Sequence, residues 1–118
     1  MTIVDTSVWI DHFNRSNKLL GNLLSEGMVL IHPFIIGELA LGRIGNRSEI
    51  LSLLNQLPKA KMAEHEEVLE FVVNNHLVGI GIGWIDAHLL ASMKLSNATI
   101  LTNDKAMLAA MIKIDKAN

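Results

Sequence analysis

Two aspartates follow short apolar segments near the two ends of the chain. Asp5 comes directly after the segment Thr2–Val4, and Asp104 comes three residues after the similar segment "TIL". An ionised carboxylate that leaves water is costly unless it is paired, hydrogen-bonded or bound to a cation. If both segments are parallel strands, their carboxyl ends meet at one edge of a sheet, where ligand sites gather. We therefore expect both acids at the same edge.

Two further acids interrupt the apolar faces of predicted helices. Asp86 precedes Leu89 and Leu90 by three and four residues, so its carboxylate lies on the stripe that should enter the core. Glu38 is the only charged residue of the segment "PFIIGELALG". Neither helix can bury its apolar face and also hydrate its acid fully. Both acids are therefore candidate functional residues.

Four carboxylates at one edge of a sheet repel each other and raise the pKa of at least one of them, unless a cation neutralises the charge. Oxygen ligands without cysteine, and without two histidines at ligand spacing, favour Mg²⁺ or Mn²⁺ over zinc. Such a cation can activate water and stabilise the leaving oxygen in phosphodiester cleavage. Taken singly, each acid has a plainer explanation, since Asp104 suits a helix N-cap. We interpret the four together as catalytic and metal-binding residues: Asp5, Glu38, Asp86 and Asp104.

The elements that position these acids alternate between short apolar strands and helices. Strands are predicted at Thr2–Val4, 28–31 and 98–101, with weaker candidates at 59–63 and 112–114. Helices are predicted from an N-cap at Thr6 or Ser7, at Lys18–Ser25, from Pro33, from Ser48, around Val68, at Trp84–Leu95 and in "NDKAMLAAM". In the helix around Val68, an apolar stripe of Val68, Leu69, Val72 and Val73 is expected to oppose Glu66, Glu67 and Glu70. This alternation predicts an α/β domain with a mainly parallel central sheet.

Length and composition narrow the class of protein. The chain has 118 residues, which predicts one domain, and its 50% hydrophobic content argues against disorder. The mean hydropathy of +0.34 is high enough to suggest a surface that a partner covers. The absence of cysteine excludes disulfides and thiolate metal sites. Without a signal-peptide pattern or an apolar run of roughly 18 residues, we expect a cytoplasmic protein and no membrane contact.

The charge pattern restricts how the chain could bind nucleic acid. A net charge of −2 excludes the broad cationic field that most nucleic-acid-binding proteins use. Local basic residues must then contact the phosphates of any RNA substrate. Arg43 and Arg47, just beyond the Glu38 helix, and Lys105, beside Asp104, are candidates for RNA contacts, although each is also explained as a solubilising charge.

Four segments, in this order along the chain, resemble the PIN-domain ribonucleases of the VapC toxin type: "IVDTSVWID", "GELALG", "GIGWIDAHLLASM" and "ILTNDKAML". The resemblance covers nearly the whole chain. It implies a single PIN domain, 1–118, folded as a three-layer α/β/α sandwich with a mainly parallel sheet. It also implies an endoribonuclease that depends on Mg²⁺ or Mn²⁺, and a cognate antitoxin protein that covers its site.

Site roles follow from the resemblance residue by residue. The acidic quartet of the family matches Asp5, Glu38, Asp86 and Asp104, and Ser7 and Thr102 match hydroxyl positions that support the acids or the water shell. In family terms, Asp5 and Asp104 are direct metal ligands, and Asp86 is a direct or water-mediated ligand. Glu38 then holds a metal-bound water. From the apolar residues Trp9, Ile10 and Phe13, we expect a homodimer or a groove for the antitoxin.

Two alternative functions remain open at this level. One is a catalytically inactive PIN-like binding module, and the other is a phosphotransfer protein that uses Asp5 as a nucleophile. The five histidines show no ligand spacing, so we expect solvated or core-edge side chains for them. Trp9 and Trp84 are interpreted as core or interface anchors, because so few aromatic residues do not suggest a base-stacking platform.

Overall fold

The computed structural model describes residues 1–117, the last of them by its backbone alone; Asn118, the end of the predicted domain 1–118, lies outside the described residues. The described part contains three strands, β1 (Thr2–Val4), β2 (Val29–Leu30) and β3 (Thr99–Leu101). It also contains seven helices: α1 (Thr6–Arg15), α2 (Lys18–Ser25), α3 (Pro33–Leu41), α4 (Arg47–Gln56), α5 (His65–Asn74), α6 (Trp84–Leu95) and α7 (Lys105–Ala117). The predicted class, an α/β domain, is confirmed.

Strand β1 lies at the centre of the sheet. The strand order is β2-β1-β3, and β1 is parallel to both neighbours, with Ile3 opposite Leu30 on one side and Ile100 on the other. Ile3 and Val4 are both 0% exposed. Because successive side chains of a strand point to opposite faces, helices must cover both faces of β1. This arrangement agrees with the expected α/β/α layering.

Helix α1 begins with a cap that the sequence did not identify. We expected Thr6 or Ser7 to cap the helix, but Asp5 is the N-cap, and its Oδ1 accepts a hydrogen bond from the backbone N–H of Thr6 at 2.8 Å. The prediction was wrong because the chain turns directly after β1 and leaves no intervening residue. The first acid of the candidate site is therefore fixed at the junction of strand and helix.

The end of the chain differs from the sequence prediction. A last strand at 112–114 was expected, but α7 continues through these residues. Met107, Ala110 and Ile114 are buried at the i, i+3 and i+7 positions, which is helical spacing, and no proline or glycine interrupts residues 105–117. The weak strand at 59–63 is reduced to a single bridge between Ile31 and Lys59.

The apolar face of α5 also lies elsewhere than predicted. Val68 is 0% exposed, but Leu69 and Val73 are 44% and 64% exposed. The buried face instead combines Val68 with Phe71 and Val72, the i+3 and i+4 positions, which pack against alanines of α6. The predicted stripe was wrong for Leu69 and Val73 and omitted Phe71, because the buried face is rotated about the helix axis toward Phe71. Among residues 1–117, no helix has the length and apolar character needed to cross a membrane.

Candidate active site

An open pocket at the carboxyl ends of β1 and β3 brings together all four acids that the sequence suggested. It is lined by eight residues, and we call it the acidic pocket: Asp5, Thr6, Ser7, Ile10, Glu38, Asp86, Asn103 and Asp104. The four carboxylates come from four separate segments of the chain. Their convergence therefore depends on the fold and not on any local motif.

Asp5 is the most firmly held of the four acids. The residue is 9% exposed, and its backbone N–H donates to the carbonyl of Leu101, the last residue of β3, at 2.9 Å. Besides the bond from Thr6 to Oδ1, its Oδ2 accepts a hydrogen bond from the Thr102 hydroxyl at 2.7 Å. Both oxygens thus have donors, and each keeps lone pairs for a further ligand.

Thr102 connects Asp5 to Asp104. Its hydroxyl donates to Asp5 and accepts the backbone N–H of Asp104 at 3.0 Å, and the side chain is buried. Asp104 caps α7, since its Oδ1 accepts hydrogen bonds from the N–H groups of Ala106 and Met107 at 2.8 and 3.1 Å. Its Oδ2 accepts none within residues 1–117. Asp104 therefore caps the helix with one oxygen, as its plainer explanation predicted, while its other oxygen stays available for a ligand.

Glu38 is oriented by a residue that the sequence did not single out. The hydroxyl of Thr6 donates to Oε1 of Glu38 at 2.7 Å, across 32 positions of sequence. Ser7, which was expected to support the acids, is exposed and lines the pocket but makes no side-chain hydrogen bond in the described part of the chain. The only sequence signal for Thr6 is that a hydroxyl residue lies close to Asp5, and Ser7 shares this signal.

Asp86 shows that the four carboxylates share one electrostatic environment. It is half-buried in the first turn of α6, and burial raises its pKa above the usual range. Repulsion from Asp5, Asp104 and Glu38 raises the pKa further, while the N–H of Gly83, 3.5 Å from Oδ2, opposes this shift. The pocket therefore accumulates negative charge, which is the condition that favours a divalent cation.

Three helix N-termini face this charge. Asp5 caps α1, Asp104 caps α7, and Asp86 lies in the first turn of α6. The positive end of each helix dipole stabilises a nearby carboxylate, typically by about 0.3–1 kcal/mol. These dipoles offset part of the mutual repulsion and explain how the acids can lie at one rim.

The donor set fits Mg²⁺ or Mn²⁺, because it consists of carboxylate oxygens. Within residues 1–117, however, no three side chains of histidine, aspartate or glutamate are grouped closely enough to form a ready cation cage. Mg²⁺ usually keeps several waters and binds through one or two carboxylates. An open rim of acids with free oxygens suits that mode of binding better than a closed cage.

The predicted RNA-contacting residues lie around the pocket and not in it. Arg43, Arg47 and Lys105 are all exposed. Lys105 is the first residue of α7, directly after Asp104, and the guanidinium of Arg47 donates to the carbonyl of Ala40. Arg43 lines a second cavity that also includes Glu38. Arg43 therefore shares a cavity with a candidate acid, and Lys105 adjoins one in sequence.

Two histidines are buried, contrary to the expectation of solvated or core-edge side chains. His32 is 0% and His88 5% exposed, and the ring of Phe34 lies 5.0 Å from the first and 4.7 Å from the second. His32 caps α3, since its Nδ1 accepts the N–H of Phe34 at 3.0 Å. Burial, with the nearby His88, lowers the pKa of His32 to about 4. We call His32, Phe34 and His88 the histidine region.

The tryptophans differ from each other. Trp9 is 2% exposed and belongs to the core, as expected for an anchor. Trp84 is 41% exposed, and its ring lies 4.9 Å from that of His88 in an edge-to-face arrangement. Trp84 thus covers the outer side of the histidine region.

A parallel sheet with an acidic pocket at its carboxyl edge, to which two strand ends and two helices contribute carboxylates, is typical of an α/β protein of the PIN type. The family model of the PIN domain matches residues 2–113, and the chain belongs to this family. Two curated relatives, both named Ribonuclease VapC32, come from Mycobacterium tuberculosis strains CDC 1551 / Oshkosh and ATCC 25618 / H37Rv. Each is 42% identical over 111 residues, which cover 93% of this chain and 90% of the relative.

The resemblance to VapC-type ribonucleases is confirmed. No solved structure matched the chain significantly.

Proposed function

We propose that the chain is an endoribonuclease toxin that hydrolyses RNA phosphodiester bonds in the acidic pocket with Mg²⁺ or Mn²⁺. The observation that supports this most strongly is the convergence of four carboxylates from four segments on one pocket. The identity of 42% to curated ribonucleases supports RNA as the substrate. In this proposal the whole chain, 1–118, acts as one PIN domain in the cytoplasm, where cellular RNA is found.

The contacts suggest a division of roles among the acids. Asp5 and Asp104 would hold the cation, because each presents a fixed carboxylate with acceptor capacity left. Asp86 would bind it directly or through water, and Glu38 would orient a water molecule. A bound cation would lower the pKa of water and stabilise negative charge on the phosphate. Thr6 and Thr102 keep the carboxylates in position, as outer ligands of metal sites do.

The two alternative functions fit the contacts less well. A phosphotransfer nucleophile must reach a phosphorus atom, but Asp5 is 9% exposed and both its oxygens accept hydrogen bonds. An inactive binding module has no need to keep four mutually repelling acids in one pocket, where they cost stability.

A second surface suits the proposed antitoxin. An apolar groove of about 360 Å³ lies between α1, α2 and α4, and its lining includes Phe13, Leu24 and Leu53. Of the three residues expected to form a partner surface, Trp9 and Phe13 line this groove, whereas Ile10 lines the acidic pocket. We infer that an apolar segment of the antitoxin occupies this groove, and a homodimer remains a separate proposal.

Cleavage of total cellular RNA by the purified chain tests the proposed activity. The reaction is followed with Mg²⁺ or Mn²⁺, with EDTA, and with the Asp5→Asn variant. Asp115→Asn, which changes an exposed acid on α7, is the matched control. We expect discrete fragments from the wild type and the control, and a loss of cleavage with EDTA or Asp5→Asn. Cleavage that survives Asp5→Asn in a folded protein contradicts the assignment of the site.

A further inference from the structure

A second cavity, of about 270 Å³, lies beside the acidic pocket and shares Glu38 and Ile10 with it. We propose that this cavity binds one nucleobase of the RNA next to the scissile phosphate and so selects the cleavage sequence. The proposal rests on the proposed ribonuclease activity and adds to it a specificity subsite. We call the second cavity the base subsite.

The lining of the base subsite has the two surfaces that a nucleobase requires. Phe13, Ile44 and Ile50 supply apolar contact for the face of a base, and Asn14 and Asn46 supply carboxamides for its edge. Unpaired RNA bases are recognised in this way, by contact with their faces and hydrogen bonds to their edges. A carboxamide carries a donor and an acceptor side by side, so it can pair with the adjacent donor and acceptor on the edge of an unpaired base.

The polar side chains of the base subsite are free to bind. Within residues 1–117, Asn14 and Arg43 form no side-chain hydrogen bond, and Asn46 precedes α4 without capping it through its side chain. By contrast, Asn17 bonds to Asp11, and Asn75 to the carbonyl of Phe71. The carboxamides of Asn14 and Asn46 have no such structural role and are available to a ligand.

Size and position agree with a single base. The volume lies just below the roughly 300–1,000 Å³ of pockets that enclose drug-sized ligands, so a base fits more readily than a whole nucleotide. Because Glu38 belongs to both cavities, a base held here lies directly beside the phosphate that the acidic pocket would cleave. Arg43, on the same wall, is the cation for a neighbouring phosphate.

Two variants remove the carboxamides without disturbing the fold. Asn14→Ala changes an exposed, unpaired residue near the end of α1. At Asn46 the backbone has φ 50°, where alanine is strained, so Asn46→Gly is the appropriate change. Asn74→Ala is the matched control, because it alters an exposed asparagine near the end of α5, away from both cavities.

The experiment sequences the cut ends of a random-sequence RNA pool after limited digestion with each protein. We expect the wild type and Asn74→Ala to prefer one base at a position beside the cut. Asn14→Ala and Asn46→Gly should lower that preference about five-fold or more, since one good base contact supplies at least this discrimination. Preferences at other positions should stay unchanged.

Three results overturn the proposal. Unchanged base preference in both variants removes the base subsite and leaves the ribonuclease intact. A similar drop of base preference in Asn74→Ala would show that the loss of these two carboxamides is not its cause. Absence of any metal-dependent cleavage by the wild type refutes the proposed activity, and the base subsite with it.

Discussion

Helices α3 and α6 each contribute to two regions that contain buried ionisable side chains. In the acidic pocket they supply Glu38 and Asp86, and in the histidine region they supply Phe34 and His88. The acids of the pocket are met by hydroxyl and N–H donors. In the histidine region, burial lowers the pKa of both His32 and His88 and so disfavours the charged imidazolium form.

The difference shows which polar residues are available for a ligand. The acidic pocket is open, and oxygens such as Oδ2 of Asp104 retain free acceptor capacity. In the histidine region, Nε2 of His32 and Nδ1 of His88 lack a partner among the described residues, and both are buried among packed rings, away from solvent. Residue type and a missing hydrogen-bond partner do not separate the two cases, because both regions contain atoms without a partner, whereas exposure does.

The largest expected effect concerns the histidine region. His32 has a folded pKa of about 4 and an ordinary pKa near 6.5, so only the unfolded chain takes up a proton between these values. The stability that neutral His32 contributes is complete above pH 6.5 and is lost as the pH falls toward 4. The free energy of unfolding in urea should fall between pH 7.5 and pH 4.5 by roughly 2–3 kcal/mol more for the wild type than for His32→Asn. Asparagine is chosen because it can still cap α3. An equal loss in both proteins would refute this account.

Next in size is the effect of Thr102→Val in the acidic pocket. The variant keeps the shape but removes the donor to Asp5 and the acceptor for Asp104. We expect cleavage to fall about 10–100-fold and the free energy of unfolding to fall by about 2 kcal/mol. Single-turnover cleavage and urea unfolding measure the two effects. Thr99→Val, an exposed position of β3, is the control, and wild-type cleavage by Thr102→Val would show that Asp5 needs no such support.

A smaller effect is expected at Thr6, because it supports the more exposed Glu38. Thr6→Val removes one hydrogen bond and should reduce cleavage about 10-fold, with about 1 kcal/mol less stability. Thr6→Ser restores the hydroxyl and should recover activity under the same assay. Equal rates for Thr6→Val and Thr6→Ser would mean that the hydroxyl does not orient Glu38.

The smallest effect concerns the basic residues around the acidic pocket. Arg43→Ala, made in the inactive Asp5→Asn background, should reduce the salt dependence of single-stranded RNA binding by about 0.7 in the log–log slope. Filter binding at several salt concentrations measures this slope. Lys94→Ala, an exposed change at the far end of α6, should leave the slope unchanged. A slope that Arg43→Ala does not alter would remove the proposed phosphate contact.

Much of the fold could be predicted because the local sequence pattern agrees with the burial of the same residues in the folded chain. The bounds of β1, α2 and α6 were predicted to the residue, since apolar spacing and capping residues coincide there. The strand at 112–114 was wrong because two isoleucines suited a strand, whereas only Ile114 is buried, at the helical spacing of seven residues from Met107, and Ile112 is 57% exposed. The β propensity of isoleucine is outweighed here by the continuous buried face of α7.

The candidate site was predictable in part. The four acids could be found because each interrupts a pattern of apolar residues, and all four line one pocket. The contact between Thr6 and Glu38 could not be found, since it joins residues 32 positions apart. Burial of His32 and His88 was equally invisible, because it depends on how Phe34 brings α3 against α6.

The central claim is that the acidic pocket binds a divalent cation that RNA cleavage requires. Calorimetric titration of Mn²⁺ into the wild type, Asp5→Asn and Asp115→Asn tests it most directly, with the same preparations assayed for cleavage. We predict saturable binding by the wild type and Asp115→Asn, lost in a folded Asp5→Asn together with cleavage. Equal binding by wild type and Asp5→Asn, or cleavage that persists in EDTA, would contradict the claim.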